Sequence, residues 1–177
     1  MNDQGNNKPE NTNDSAQIDQ LKFQGFMSQA RDDQNLSMGI LAGIVAAVLG
    51  AVAWAIVTAL TNYQIGWMAV GVGFLVGFSI RQFGKGFDSI FGISGAVLSL
   101  VGCLLGNLLT VCIVISRQES VPFVDLLTRL NPAIAIELMK VTFSPIDLLF
   151  YGIAVYEGYK LSFRRISEEE IGRLTNT

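Results

Sequence analysis

Charged residues are distributed very unevenly along this chain, and the gaps between them predict membrane-spanning helices. No Asp, Glu, Lys or Arg occurs between Asp33 and Arg81, and none occurs between Asp88 and Arg117. A helix that crosses a bilayer needs about 20 predominantly apolar residues. The first gap is therefore long enough for two spans and the second gap for one.

The pattern predicts an all-α, polytopic membrane protein with four transmembrane helices in a compact, glycine-packed bundle. The turn TNYQ joins the first two spans so tightly that they must be antiparallel. Ser37 can cap the first span, and Asn35 is the alternative cap. The predicted spans cover residues 38–60, 65–80, 90–115 and 145–161.

The start of the fourth span carries a strong local signal. Ser144 can cap the helix, Pro145 suits the first helical position, and Asp147 lies where it can complete a capping box. The flanking Phe143 and Phe163 are typical of the aromatic residues found at membrane interfaces. We therefore expect this helix to begin at Pro145.

Residues 117–143 have a different pattern, in which charges alternate with apolar residues at helical spacing. Phe123, Leu126 and Leu130 recur on one helical face, and Asn131 precedes a proline that can restart a helix. Charged residues interrupt every stretch of this segment that would be long enough to span a membrane. The pattern therefore favours two short interfacial helices between spans three and four over a fifth span.

The predicted membrane domain covers residues 36–163 and lies between two polar tails. Residues 1–35 begin with MNDQGNNKPENTNDSAQ, which predicts a disordered tail, although apolar residues within 18–30 allow a short amphipathic helix. Residues 164–177 form a short C-terminal tail. Lys and Arg are concentrated on the side that would hold both termini. The positive-inside rule therefore predicts that both termini are cytoplasmic and that 117–143 is external.

Glycine-rich runs have two possible meanings, and the segment IGWMAVGVGFLVG (65–77) fits only one of them. A dinucleotide fingerprint requires G-x-G-x-x-G between a strand and a helix, with an acid about 20 residues later. Here the spacing is G-x-G-x-x-x-G inside an uncharged run. Small residues at four-residue intervals instead let membrane helices approach closely. The predicted packing residues are Gly39, Gly43, Gly50, Gly66, Gly73, Gly77, Gly95, Gly102, Gly106 and Gly158. Such faces can join helices of one chain or of two copies.

Four polar residues near or within the spans are candidates for a polar or ion site. Asp147 is expected to cap its helix, and it shares a face with Tyr151, whose hydroxyl it can reach. Glu157 is expected to pair with Lys160 or Arg81, and an ion-binding carboxylate is the alternative. Asn107 is expected to form an interhelical hydrogen bond.

Composition narrows the class of protein further. Only 15% of the 177 residues are charged, compared with about a quarter in soluble proteins. The net charge is −3 and there is no basic stripe, so nucleic-acid binding is not expected. The chain has no histidine, and Cys103 and Cys112 lack the spacing of metal ligands. We find no nucleophile–base pair, and we expect no catalytic residue, metal or cofactor.

The runs YQIGWMAVGVGFLVGFSIRQFGKG and DLLFYGIAVYEGYKLSFR resemble segments of small uncharacterised bacterial membrane proteins with four spans. The likeness covers about residues 36–165. It implies a location in the bacterial inner membrane, and it implies no activity or site residue.

Two functional hypotheses follow. The first is a non-catalytic accessory or scaffold subunit that acts through helix packing and the external segment. The second is a small oligomeric transporter or channel that uses Glu157, Asp147 or Asn107. Both place the chain in the lipid bilayer as a homo-oligomer or beside a partner membrane protein.

Overall fold

The computed structural model describes residues 34–62 and 66–164, together with Gln20, Leu21, Gln24, Gly25 and Ser28. Within this part of the chain the secondary structure is entirely helical. Six helices follow one another: α1 Leu36–Thr61, α2 Trp67–Gly84, α3 Ser89–Gln118, α4 Phe123–Arg129, α5 Pro132–Thr142 and α6 Pro145–Leu161.

Three of the helices, α1, α2 and α3, are long and apolar enough to cross a membrane. The length and composition of these three helices support a polytopic membrane protein. Helix α6 has 17 residues, which corresponds to about 25 Å of helix against roughly 30 Å of bilayer hydrocarbon. That α6 is a fourth span stays a prediction.

The helix ends show which capping residues are used. Asn35, the alternative cap, accepts a hydrogen bond from the backbone N–H of Met38 at 3.0 Å, and Ser37 lies inside the first turn. Helix α6 begins at Pro145 as expected. The backbone N–H of Ser144 donates to Asp147 Oδ2 at 2.9 Å, which completes the predicted capping box.

Helix α2 differs most from its predicted limits of 65–80. It begins at Trp67 and continues to Gly84, four residues past the predicted end. Lys85 then adopts a left-handed conformation, with φ of 49°, and its N–H donates to the carbonyl of Arg81 at 3.1 Å. Arg81 therefore lies inside the helix. No residue in the last turn of α2 prevents helical hydrogen bonding.

Helices α2 and α3 form the centre of the bundle. Both pack against α1 and against α6, and α1 and α6 make no contact with each other within the described residues. Helix α1 runs parallel to α3, and α6 runs parallel to α2. The end of the bundle that holds the C-termini of α1 and α3 is called the Arg117 end, and the opposite end is called the Arg81 end.

The side chains that fill the bundle are mostly small. Alanines of α1 and α2, including Ala47, Ala51 and Ala69, are almost fully buried. Larger apolar residues, among them Ile80 and Phe91, close the core at the Arg81 end. Small residues along the helix faces let the axes lie close together.

Helices α4 and α5 lie outside the bundle and contact only α3 among the described helices. No residue of α4 is buried. The predicted tail 1–35 lies mostly outside the described residues. The five described residues between 20 and 28 are helical, and they fall in the stretch 18–30 for which a short amphipathic helix is the alternative. The predicted tail 164–177 lies outside the described residues except for Arg164.

Candidate functional site

Gly73 of α2 lies directly against the backbone of α6. A Cβ atom at this position would be 2.7 Å from the Cα of Ala154 and would also meet the Ala154 carbonyl oxygen. One turn later, a Cβ on Gly77 would be 2.9 Å from the Cβ of Leu161. A side chain at Gly73 would require the backbone of one helix to move.

Helices α3 and α6 approach each other in the same way. A Cβ on Gly158 would be 2.7 Å from the carbonyl oxygen of Gly95 and 2.9 Å from the Cβ of Ser99. Ser162 donates a hydrogen bond from Oγ to the Gly158 carbonyl at 2.6 Å. This hydroxyl therefore bonds at the end of its own helix and not to α3.

The glycines of α1, and those of α3 that lie beside it, meet side chains more often than backbone. A Cβ on Gly43 would be 2.8 Å from Ile80 Cγ1, and one on Gly102 would be 2.8 Å from Val72 Cγ1. The other predicted glycines also have close neighbours: Gly39 has Gly84, Gly50 has Val72, Gly66 has Phe150 and Gly106 has Trp54. By contrast, Gly71 and Gly152 face open space.

Asn107 is the one candidate polar residue that is fully buried. Its side chain interacts with that of Tyr151, which is also buried. The expected hydrogen bond between Asp147 and Tyr151 is not formed in the described structure, because the Asp147 carboxylate binds the backbone N–H of Ser144. The structure therefore brings Asn107 and Tyr151 together and leaves Asp147 as a cap.

Glu157 and Arg81 are half-buried near the Arg81 end. Lys160 Nζ lies 5.3 Å from the centre of the Tyr156 ring, in cation–π geometry. Lys160 extends over Tyr156 on its own helix, and the described residues contain no ion pair between Glu157 and either Lys160 or Arg81.

Sequence reasoning missed three buried polar side chains: Trp54, Thr58 and Thr110. Their polar atoms, Nε1 and the two Oγ1 atoms, have no hydrogen-bond partner within the described part of the chain. The signal was available, since Thr58 lies one turn after Trp54 and Thr110 lies three residues after Asn107. Each pair shares a helical face.

A cavity of about 380 Å³ lies between α1 and α3 at the Arg117 end. Arg117 Nη1 donates to Asn62 Oδ1 at 3.0 Å and links the two helix ends. The residues that line the cavity are Thr58, Ala59, Asn62, Thr110, Ile113, Val114, Arg117 and Gln118. The missed threonines therefore face the same space as these polar end residues.

A second cavity, of about 450 Å³, lies between α3 and the surface helix α5. It is mainly apolar, and it carries a carboxylate on Glu137. Thr110, Val114 and Gln118 line both cavities, so the C-terminal part of α3 separates the two, and the cavity beside α1 is the less apolar of them.

The described residues contain no cluster of three or more His, Cys, Asp or Glu side chains that could hold a metal ion. Cys103 and Cys112 are buried free thiols. Cys103 donates from Sγ to the carbonyl of Ala69 at 3.7 Å, so this thiol takes part in packing α3 against α2.

Comparison with known proteins adds no relative: no protein family, no curated protein and no solved structure matches the chain.

Proposed function

We propose that this chain is a non-catalytic integral membrane protein that serves as an accessory or scaffold subunit. Helices α1, α2, α3 and α6 would be its four membrane helices, packed through their glycine faces. The external segment 117–143 would be the part that receives a partner.

The observation that carries this proposal is the chemistry of the buried polar residues. All those in the described part of the chain are uncharged: Trp54, Thr58, Ser99, Asn107, Thr110, Tyr151 and Ser162. Carriers and proton relays generally use ionisable side chains within the membrane. An interior of hydroxyls, one amide, one indole and close backbone contacts suits a protein whose task is assembly.

The ends of the bundle support the proposed orientation. Arg81, Lys85, Lys160 and Arg164 lie at the Arg81 end of the described structure. Arg117 lies at the other end, and Arg129 and Lys140 lie in the segment that follows it, where the acids Glu119, Asp125 and Glu137 offset their charge. Cytoplasmic loops carry the excess of Lys and Arg. We therefore propose that both termini are cytoplasmic. The resemblance to small bacterial membrane proteins is the reason for proposing a bacterial inner membrane as the location.

The surface helices supply the proposed contact surface. Val124 of α4 is 67% exposed and Ile136 of α5 is 56% exposed, and neither helix packs on α1, α2 or α6 within the described residues. Apolar side chains on interfacial helices can insert into the headgroup region or contact a second membrane protein. An accessory subunit would use these side chains to contact a second membrane protein.

The test is purification of the tagged full chain from its own membranes, combined with photo-crosslinking. A photoreactive residue at Val124 or Ile136 should crosslink to one stoichiometric partner. The same residue at Leu41, which is exposed on α1, should give no protein adduct at comparable yield. A homo-oligomer without partner adducts would contradict the accessory role.

A second candidate is a small oligomeric transporter or channel. The contact between Asn107 and Tyr151, together with the nearby polar cavity, favours it because polar groups continue into the bundle from the Arg117 end. Of the residues first considered for such a role, Glu157 and Asp147 lie near opposite ends of α6. Flux in liposomes with a Glu157→Gln variant would test this candidate.

A further inference from the structure

We propose that the cavity between α3 and the surface helix α5 binds one acyl chain of a phospholipid whose headgroup carries a primary ammonium group. The acyl chain lies in the cavity, and the ammonium group contacts the carboxylate of Glu137. This inference rests on the proposed function in requiring that α3 crosses a bilayer and that α5 lies at the bilayer surface. It goes beyond that function by assigning a lipid-binding site to the space under α5.

The first argument is the chemistry of the cavity wall. Apolar side chains of both helices form most of it: Val111, Val114 and Ile115 of α3, and Ile134 and Leu138 of α5. Apolar cavities exclude water and accept apolar molecules. The volume of about 450 Å³ falls in the range of small-molecule sites, roughly 300–1,000 Å³. The cavity therefore suits a hydrocarbon chain.

The second argument is the position of the opening. Val114 is 42% exposed and Ile134 is 44% exposed, so the cavity is open beside α3 and α5 and is not sealed inside the bundle. Val114 lies four residues before the end of α3, which is about 6 Å along the helix axis. This position belongs to a helix that is long and apolar enough to cross a membrane. In a bilayer, acyl chains are therefore the apolar groups that adjoin the opening.

The third argument is the composition of α5. Its other side is also apolar, since Ile136 is 56% exposed and lies with Met139 and Phe143 along a shallow groove. Only two of the eleven residues in α5, Glu137 and Lys140, are charged. An interfacial helix buries its apolar side chains at the boundary between headgroups and acyl chains. This boundary is the depth of α5 whether its outer side meets lipid or a membrane partner, so lipid reaches the cavity more readily than a water-soluble ligand does.

The fourth argument is the charge of the wall. Glu137 is the one charged side chain among the described lining residues, and it is exposed and forms no ion pair with Lys140 within the described structure. The side-chain carbonyl of Gln118, on the opposite wall, is a second hydrogen-bond acceptor. A primary ammonium group has the complementary charge and three hydrogen-bond donors. A headgroup with a phosphate and no ammonium is repelled by the carboxylate, so the wall selects among phospholipids.

The test is photo-labelling of the full chain, reconstituted in phosphatidylglycerol vesicles, by trace amounts of photoactivatable lipid. The probes are phosphatidylethanolamine, phosphatidylcholine and phosphatidylglycerol, each with the same diazirine in its acyl chain. Mass spectrometry of peptides measures the labelling of residues 111–118 and 134–142. It is divided by the labelling around Leu41, which is 58% exposed on α1 and reports the lipid that surrounds the bundle. Unlabelled phosphatidylethanolamine is then added as a competitor.

The labelling ratio should be about threefold higher for phosphatidylethanolamine than for phosphatidylglycerol, as expected for one exposed ion pair. Phosphatidylcholine should be intermediate, because its quaternary ammonium group donates no hydrogen bond. The competitor should lower labelling in the cavity and leave labelling around Leu41 unchanged.

Two pairs of variants locate the site. Glu137→Gln should remove the preference for phosphatidylethanolamine, whereas Glu119→Gln, which removes an exposed acid outside the cavity wall, should retain it. Leu138→Trp should fill the cavity and abolish its labelling by all three lipids. Ile136→Trp, on the other side of α5, should leave the labelling intact. All four positions lie outside the core of the bundle, so folding does not depend on them.

The possible outcomes separate this inference from the proposed function. Absence of labelling both in the cavity and on α1 would overturn the membrane assignment on which both rest. Equal ratios for the three lipids, or cavity labelling that the competitor does not displace, would overturn the lipid site alone. A preference that persists in Glu137→Gln would overturn the role of the carboxylate, and cavity labelling that persists in Leu138→Trp would overturn the location.

A photoreactive residue at Ile134 in native membranes tests for a different occupant. We expect an adduct with the mass of one phospholipid that contains an ammonium headgroup. A polypeptide adduct at this position would overturn the lipid as the occupant of the cavity, and it would leave the accessory role intact.

Discussion

Gly73 and Ala154 bring the backbones of α2 and α6 into direct contact, since a Cβ on the glycine would lie 2.7 Å from the alanine Cα. The glycine two residues earlier, Gly71, has no atom within 4 Å of its Cβ position. The two positions have the same residue type on the same helix. Comparing the same substitution at both positions therefore separates the effect of interhelical contact from that of helix propensity.

Gly73→Ala and Gly73→Leu should destabilise the protein, while Gly71→Ala should stabilise it slightly. Forcing a side chain against backbone costs about 1–3 kcal/mol or more, whereas Gly to Ala in an open helical position gains up to about 1 kcal/mol. Unfolding in a titration of denaturing detergent measures both changes. Equal effects at the two positions would show that α2 and α6 do not pack this closely.

Gly102→Ala should reduce stability less than Gly73→Ala does. A second substitution should restore part of the stability that Gly102→Ala loses. Its Cβ would lie 2.8 Å from Val72 Cγ1, which is the end of a side chain. Shortening that side chain with Val72→Ala makes room, so the two substitutions should couple favourably by about 1 kcal/mol. The larger Gly102→Leu should disrupt assembly in either background. A double mutant whose loss of stability equals the sum of the single losses would contradict this contact.

Asp147→Ala should lower stability by about 1 kcal/mol, whereas Asp147→Asn should retain most of it. The carboxylate accepts a hydrogen bond from the Ser144 N–H, and an amide oxygen can do the same. Detergent unfolding of both variants measures the difference. If Asp147→Asn were as damaging as Asp147→Ala, the negative charge would have a role beyond capping.

Asn62→Gly should lower the stability of the protein less than Asn62→Ala does. Asn62 ends α1 in a left-handed conformation with φ of 53°, and its Oδ1 accepts from Arg117. Glycine keeps this backbone conformation and loses only the hydrogen bond, which is worth about 1 kcal/mol. Alanine adds roughly 1 kcal/mol of backbone strain. Arg117→Gln and the matched control Arg129→Gln, on α4, would separate the hydrogen bond from general charge. If Asn62 did not end α1 in a left-handed conformation, Asn62→Gly would be the more damaging of the two Asn62 substitutions.

Glu157→Gln should leave the amount of assembled protein unchanged. It should change the free energy of unfolding by no more than about 0.5 kcal/mol. Glu157 has no ion pair with Arg81 or Lys160 in the described structure, so removing its charge breaks no such contact. Yield from membranes and detergent unfolding check this. Loss of a pH-dependent flux in liposomes with this variant would support the transporter candidate instead.

The sequence by itself determined which parts of the chain are helical and where several helices begin. Uncharged runs separated by charged turns leave few alternatives, because backbone groups in hydrocarbon must bond within a helix. The signal at Ser144, Pro145 and Asp147 is local, and it located the start of α6 to the residue. The end of α2 was placed four residues early, because a cation such as Arg81 can lie inside a helix as easily as it can flank one.

Only the tertiary structure decided which helix faces meet. Periodicity places Thr58 with Trp54 on one face and Thr110 with Asn107 on another, but it does not say that the two threonines line one cavity. It also does not place α2 and α3 in the centre with α1 and α6 apart. All four of these helices carry small residues at similar spacing. Their pairing therefore depends on the summed packing of the whole bundle, which no single segment encodes.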